Sequence, residues 1–164
     1  INNAGRHLLR FAVPITELSA DDWREMLEVN IVGIVNCTAA CRGSMRDRGG
    51  GVVINMGSIA GIAATNCYGV SKLAVRGLTV GLAQELAADG TRVCGVAPGL
   101  VDSPAAMDEL SEDRKNAFIR DFQLVKRQGR MTDVANLVEY LCSDLASFIT
   151  GETIAVSGGF PLRP

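Results

Sequence analysis

The chain has 164 residues, 48% of them hydrophobic and 21% charged, with 16 basic against 18 acidic side chains and a net charge of −2. That is enough for one domain burying roughly two thirds of its unfolded surface without metal or disulfide staples. The balance excludes the basic surplus of a nucleic-acid binder, and no apolar run reaches the ~18–20 residues of a membrane span.

In chain order, Ile1 reads as the last residue of a strand. Ser19 then opens Ser-Ala-Asp-Asp, an N-cap followed three residues later by an acid, ahead of a helix. Trp23, Leu27, Asn30, Ile34, Thr38 and Cys41 fall on one face of that helix at about 100° per residue. Asn30 sits where an apolar residue belongs. A buried amide without partners costs about 1–3 kcal/mol, so Asn30 is either a structural hydrogen bond to a neighbouring strand or a polar post at a site. The arginines between Arg42 and Arg48 read as a solvated helix end. Gly49-Gly50-Gly51 reads as a turn into a strand, Gly51 to Met56, whose β-branched run suits burial on both faces.

A second helix is predicted from about Cys67 to Ala88, closed by Gly90. Tyr68 and Lys72 lie four apart on it, with Val75, Thr79, Leu82 and Leu86 continuing the same face. Lys72 on a core-facing stripe either snorkels to the surface or needs a partner or a cavity. Thr91 to Ala97 is a second strand. Pro98 to Arg130 reads as one long irregular stretch, of the kind that covers sites at strand ends. A third helix is expected from Asp133 to Cys142 with Thr132 as cap, and a last strand from Glu152 to Ser157.

The alternation predicts an α/β fold, a parallel sheet with helices on both faces. Cys37, Cys41, Cys67, Cys94 and Cys142 show no C-x-x-C pair and are expected as reduced core residues. His7 is the only histidine, so no His-based triad or multi-His metal site is available and no metal is expected. No basic region followed by an apolar stretch opens the sequence, so a cytoplasmic protein is expected.

Ser58, the loop after Ala97 and the start of the Tyr68 helix should share the carboxyl end of the sheet, where open α/β sheets bind ligands. A phenol has a pKa near 10. A cation one turn away favours its ionised form, so the tyrosine can exchange a proton with an alcohol or carbonyl oxygen. These groups polarise a carbonyl but supply no hydride, so a redox role requires a cofactor. Gly57-Ser58-Ile59-Ala60-Gly61 is not a nucleophile elbow, and no G-x-x-x-x-G-K-[ST] loop is present.

Asn2-Asn3-Ala4-Gly5, Asn30, Asn55-Met56-Gly57-Ser58, Tyr68-Gly69-Val70-Ser71-Lys72, Pro98-Gly99, Thr150-Gly151-Glu152 and Ser157-Gly158-Gly159 occur in that order. The chain thereby resembles the short-chain dehydrogenase/reductase family. The resemblance implies the C-terminal part of a doubly wound Rossmann fold and NAD or NADP as cofactor, the choice between them not being readable. It implies Tyr68 as general acid/base, and Lys72 both lowering its pKa and holding the nicotinamide ribose. Ser58 would orient the substrate oxygen, and Asn30 would hold a water that relays protons to Lys72. Asn3, Ala4 and Gly5 would pass near the adenosine side. Pro98, Gly99, Val101 and Ser103 would line the nicotinamide. Residues 102–128 would form the substrate-binding loop, with Met107, Leu110, Phe118 and Phe122 as pocket wall. The tail from Arg127 to Gly159 looks most like the branch that includes 3-oxoacyl carrier-protein reductases. A small alcohol or carbonyl substrate and a homodimer or homotetramer follow from the same resemblance.

Two features depart from the family. Its glycine-rich turn, which holds the pyrophosphate, has no counterpart before Asn2, so 1–164 is expected to be one incomplete domain of a longer parent. An inactive fragment or association module is the alternative reading. The ten-residue separation of Ser58 and Tyr68 is also a few residues shorter than usual for the family.

Overall fold

The computed structural model describes residues 1–7, 13–104 and 110–162. Strands β1 (Gly51–Met56), β2 (Thr91–Pro98) and β3 (Thr153–Val156) form a parallel sheet in that order, Gly51 beside Thr91 and Gly95 beside Thr153. Asn2 extends the sheet beyond β1: its N–H donates to the Ile54 carbonyl (2.8 Å) and its carbonyl accepts from Met56 (3.0 Å).

The first helix runs in three pieces: α1 (Ala20–Leu27), a π turn (Glu28–Val32) and α2 (Gly33–Asp47). Ser19 caps it as expected, its hydroxyl accepting from Asp22 N at 3.1 Å. The predicted stripe shifts, because the buried residues are Met26, Asn30, Ile34 and Thr38, while Cys41 is exposed. Twelve residues of regular helix would carry Thr38 about 120° out of line with Met26. One extra residue taken up by the π turn cuts that to about 20°.

After β1 a short helix α3 (Ala60–Ala63) leads to α4 (Cys67–Leu86), which a 3-10 turn closes at Gly90 (φ 69°). Asn66 caps α4, accepting from Gly69 N at 2.8 Å. The predicted face of α4 is buried in full: Tyr68, Lys72, Val75, Thr79, Leu82 and Leu86. Within the stretch read as irregular, the chain forms α5 (Glu112–Asp121). Helix α6 (Met131–Cys142) is capped by Arg130 rather than by Thr132, because Asp133 turns back to accept from Arg130 N at 2.7 Å. Arg127 also grips Asp133 (2.7 Å), and that pair holds the carboxyl down at about 2.

Helices cover both faces of the sheet. Val53 and Val93 pack against Ile34 of α2 and Val75, Leu82 and Leu86 of α4. Ile54, Cys94 and Val96 pack on the other side against Leu141 of α6. Arg92 fastens the end of α6, donating to the Leu141 (2.8 Å) and Ser143 (3.2 Å) carbonyls. Arg42 is no solvated helix end but bridges α2 to Glu85 and Asp89, each at 2.6 Å. Of the cysteines, Cys67 and Cys94 are core residues, whereas Cys37, Cys41 and Cys142 are exposed; all five are free thiols.

A buried polar network crosses the fold. Asn2 Nδ2 donates to Asn55 Oδ1 (2.9 Å) and lies 3.3 Å from Thr38 Oγ1. Asn55 Nδ2 donates to Thr79 Oγ1 (3.1 Å), which donates to the Val75 carbonyl (2.8 Å). Among the described residues no helix is long and apolar enough to cross a membrane.

Candidate active site

Strand β1 ends at Met56 and β2 at Pro98, and the N-terminus of α4 opens beside them. These ends border a cavity of about 1150 Å³. Of the sequence-predicted residues, Asn3, Gly5, Ser58, Tyr68, Lys72, Pro98, Gly99, Val101 and Ser103 all line it. Asn30 and Ala4 are outside the lining; Ala4 is exposed, and Asn30 is buried behind it. Leu110 and Phe118 form wall as expected, but Phe122 does not. Phe122 instead packs at a tilt against Phe118 (centroids 5.7 Å apart) and Phe160 (5.3 Å). Met107 lies outside the described residues.

Lys72 is only 6% exposed, which decides against snorkelling. Its Nζ donates to the Met56 carbonyl (2.8 Å) and lies 5.6 Å from the centre of the Tyr68 ring, within cation–π range. An ammonium carries three N–H donors. Only one has an acceptor among the described residues, so two remain for a bound molecule. Burial lowers the amine from 10.5 to about 8.

Tyr68 is nearly buried, packed with Met26 and Cys67, and its ring tilts against His7 with centroids 5.5 Å apart. Ser58 Oγ accepts from Ala60 N at 3.1 Å, and its O–H has no acceptor among the described residues. Asn30 is hydrogen-bonded within the fold, but to the 1–7 segment and to α4 rather than to a strand. Its Oδ1 accepts from Arg6 N (2.7 Å), and its Nδ2 donates to Ser71 Oγ (3.0 Å), next to Lys72.

The short Ser58–Tyr68 link is accommodated by backbone contact. A Cβ on Gly61 would lie 2.6 Å from the Lys72 carbonyl carbon, and one on Gly69 would lie 2.9 Å from the Ala60 oxygen. Helix α3 therefore sits directly on the first turns of α4.

Residues 102–128 leave and rejoin the frame at one point. Val101 bridges Gly129, Asp102 N donates to the Gly129 carbonyl (2.9 Å), and Asp102 Oδ1 accepts from Met131 N (2.7 Å). The lining also includes groups the sequence did not single out: His7, Arg114, and Val134, Val138 and Glu139 of α6. The wall residues of α6 were legible in principle from their three-to-four spacing; His7 and Arg114 carry no local signal.

A nicotinamide nucleotide fits these residues. The cavity has the room, and glycine keeps the wall low where Cβ on Gly5 would stand 3.3 Å from Asn30 Oδ1 and 3.6 Å from Lys72 Nζ. No group of His, Cys, Asp and Glu among the described residues is arranged to hold a metal.

A family model described as enoyl-(acyl carrier protein) reductase matches residues 1–161. Dehydrogenase/reductase SDR family member 4 of Mus musculus is 36% identical over 152 residues, 91% of this chain and 54% of that protein. The 3-oxoacyl-[acyl-carrier-protein] reductase FabG of Staphylococcus aureus is 35% identical over 162 residues, 97% of this chain and 64% of that protein. Among solved structures, a gluconate 5-dehydrogenase from Burkholderia cenocepacia in complex with NADP and tartrate superposes with TM-score 0.89 at 28% identity. It covers 99% of this chain and 64% of that one. A 7 alpha-hydroxysteroid dehydrogenase complexed with NADH and 7-oxo glycochenodeoxycholic acid gives 0.86 at 27%, covering 96% and 61%. The chain thus spans between half and two thirds of the length of these relatives.

Proposed function

Because the chain belongs to the short-chain dehydrogenase/reductase family, we propose that its protein is an oxidoreductase interconverting an alcohol and a ketone or aldehyde with NAD or NADP. One observation carries this reading: Tyr68 and Lys72, one helical turn apart, line the same cavity, with the ammonium buried and anchored on the Met56 carbonyl. The bound nicotinamide supplies or accepts the hydride. In the reducing direction, Tyr68 donates the proton to the nascent alkoxide oxygen; in the oxidising direction its phenolate takes it. Lys72 favours that phenolate by its charge and holds the nicotinamide ribose with its remaining N–H groups. Ser58 donates a hydrogen bond from its hydroxyl to the substrate oxygen and so fixes its position.

Asn30, held by Arg6 and Ser71, carries the water that returns protons to Lys72. Asn3, Ala4 and Gly5 pass the adenosine side, while Pro98, Gly99, Val101 and Ser103 border the nicotinamide. Residues 102–128 form the substrate loop. Relatives named as 3-oxoacyl-[acyl-carrier-protein] reductase and 3alpha-hydroxysteroid dehydrogenase support a secondary alcohol or its ketone as substrate. Apolar side chains exposed at Val35 on α2 and at Leu73 and Val80 on α4 support a homodimer or homotetramer, which light scattering on the full protein checks.

Tyr68→Phe in the full-length protein tests the mechanism. Turnover of ketones with NADH or NADPH should fall by about 10²–10⁴ while the melting temperature is kept. Near-normal turnover would remove Tyr68 from the chemistry.

A further inference from the structure

Among the described residues, the charged side chains of the cavity lining, His7 aside, are Arg6, Lys72, Arg114 and Glu139. Arg6 is neutralised by Glu25 at 2.7 Å, and Lys72 is held on Met56. Arg114 and Glu139 pair with nothing among the described residues, not even each other. With Arg6 cancelled, two cations face one carboxylate among the described residues of the lining, a positive excess there. Arg114 lies in the first turn of α5, with Phe118 one turn on and Leu110 four residues before, and all three line the cavity. Met131, Val134 and Val138 make the wall apolar as well.

We propose that Arg114 makes this cavity selective for substrates that join an anionic group, a carboxylate above all, to an apolar body. The inference rests on the reading of Tyr68 and Lys72 as the reacting end. A guanidinium offers a planar fork of N–H donors and takes a carboxylate bidentately, which a neutral oxygen cannot match. An anion could also come from a cofactor phosphate. The substrate is the better fit: Arg114, Leu110 and Phe118 all belong to the 102–128 excursion, whereas the residues assigned to the nicotinamide come from the strand ends.

The test uses the full-length protein with 5-oxohexanoate and 7-oxooctanoate, each against its methyl ester, in wild type, Arg114→Gln and Arg114→Lys. Arg114 is exposed, so these variants keep the fold. At low salt the wild type should prefer the acids about tenfold in kcat/KM, and added salt should erode that preference. Arg114→Gln should remove the preference by slowing the acids alone, and Arg114→Lys should restore part of it. Equal effects on acids and esters, or none, overturn the proposal. Weakened NADH or NADPH binding with an unchanged acid-to-ester ratio assigns the guanidinium to the cofactor and overturns it too. If the protein reduces no ketone, calorimetric binding of 7-oxooctanoate decides. Binding about tenfold weaker in Arg114→Gln upholds the anion subsite although the redox reading falls; equal binding overturns it.

Discussion

Burial takes the Lys72 amine from 10.5 to about 8, and this sets stability against charge. The folded value lies below the unfolded one, so between about pH 8 and 10.5 the unfolded chain binds more protons. Stability from this group therefore rises with pH across that window, and the penalty is fully present below it. The shift corresponds to something on the order of 3 kcal/mol. Urea unfolding at pH 7, 9 and 10.5 should show wild type gaining that much relative to Lys72→Met as the pH rises. A constant difference would mean that the ammonium is hydrated in the native state. On the proposed mechanism, activity moves oppositely: above pH 8 the neutral amine no longer favours the phenolate. Lys72 was legible in the sequence because a charge on an apolar stripe demands a reason, and so was Asn30. The tilted contact of His7 with Tyr68 was not, since 61 residues separate them in sequence and only the folded chain brings them together.

The helices show where the sequence pattern informs and where it misleads. α4 obeyed its periodicity because ten of its residues are buried and the stripe is continuous. The first helix did so only in part, because a π turn adds one residue without altering composition and so buries Met26 fully where Leu27 was expected, with Trp23 half-buried against it. α5 escaped notice because its surface is mostly charged and its buried residue is Lys115, tied to Glu112 at 2.8 Å. Packing of α3 on α4 was also invisible, although the glycines that permit it were in view. Gly61→Ala should force α3 off the backbone of Lys72 and Leu73. The cost expected is about 1–3 kcal/mol of stability, with a larger loss of kcat because Ser58 and the Tyr68 turn shift apart. Chemical unfolding and single-turnover kinetics check the two parts; full activity with unchanged stability would show that the contact yields freely.

At the scale of the molecule, the Asn2–Asn55–Thr79 network joins the first segment, the sheet and two helices, with Thr38, Asn55 and Thr79 buried and Asn2 half-buried. Asn55→Leu leaves partners behind and should lower stability by about 1–3 kcal/mol. Adding Thr79→Val should recover part of that, since the second orphan is then removed, and strict additivity of the two would show that they do not share an interaction.

The closing of residues 102–128 at the Val101–Gly129 bridge has a further consequence. A segment whose two ends meet is a cassette: it can be exchanged with that of a relative without re-routing the chain or touching the strands. On the proposed function, grafting such an insert should transplant preference for one compound over another while leaving Tyr68 and Lys72 in place.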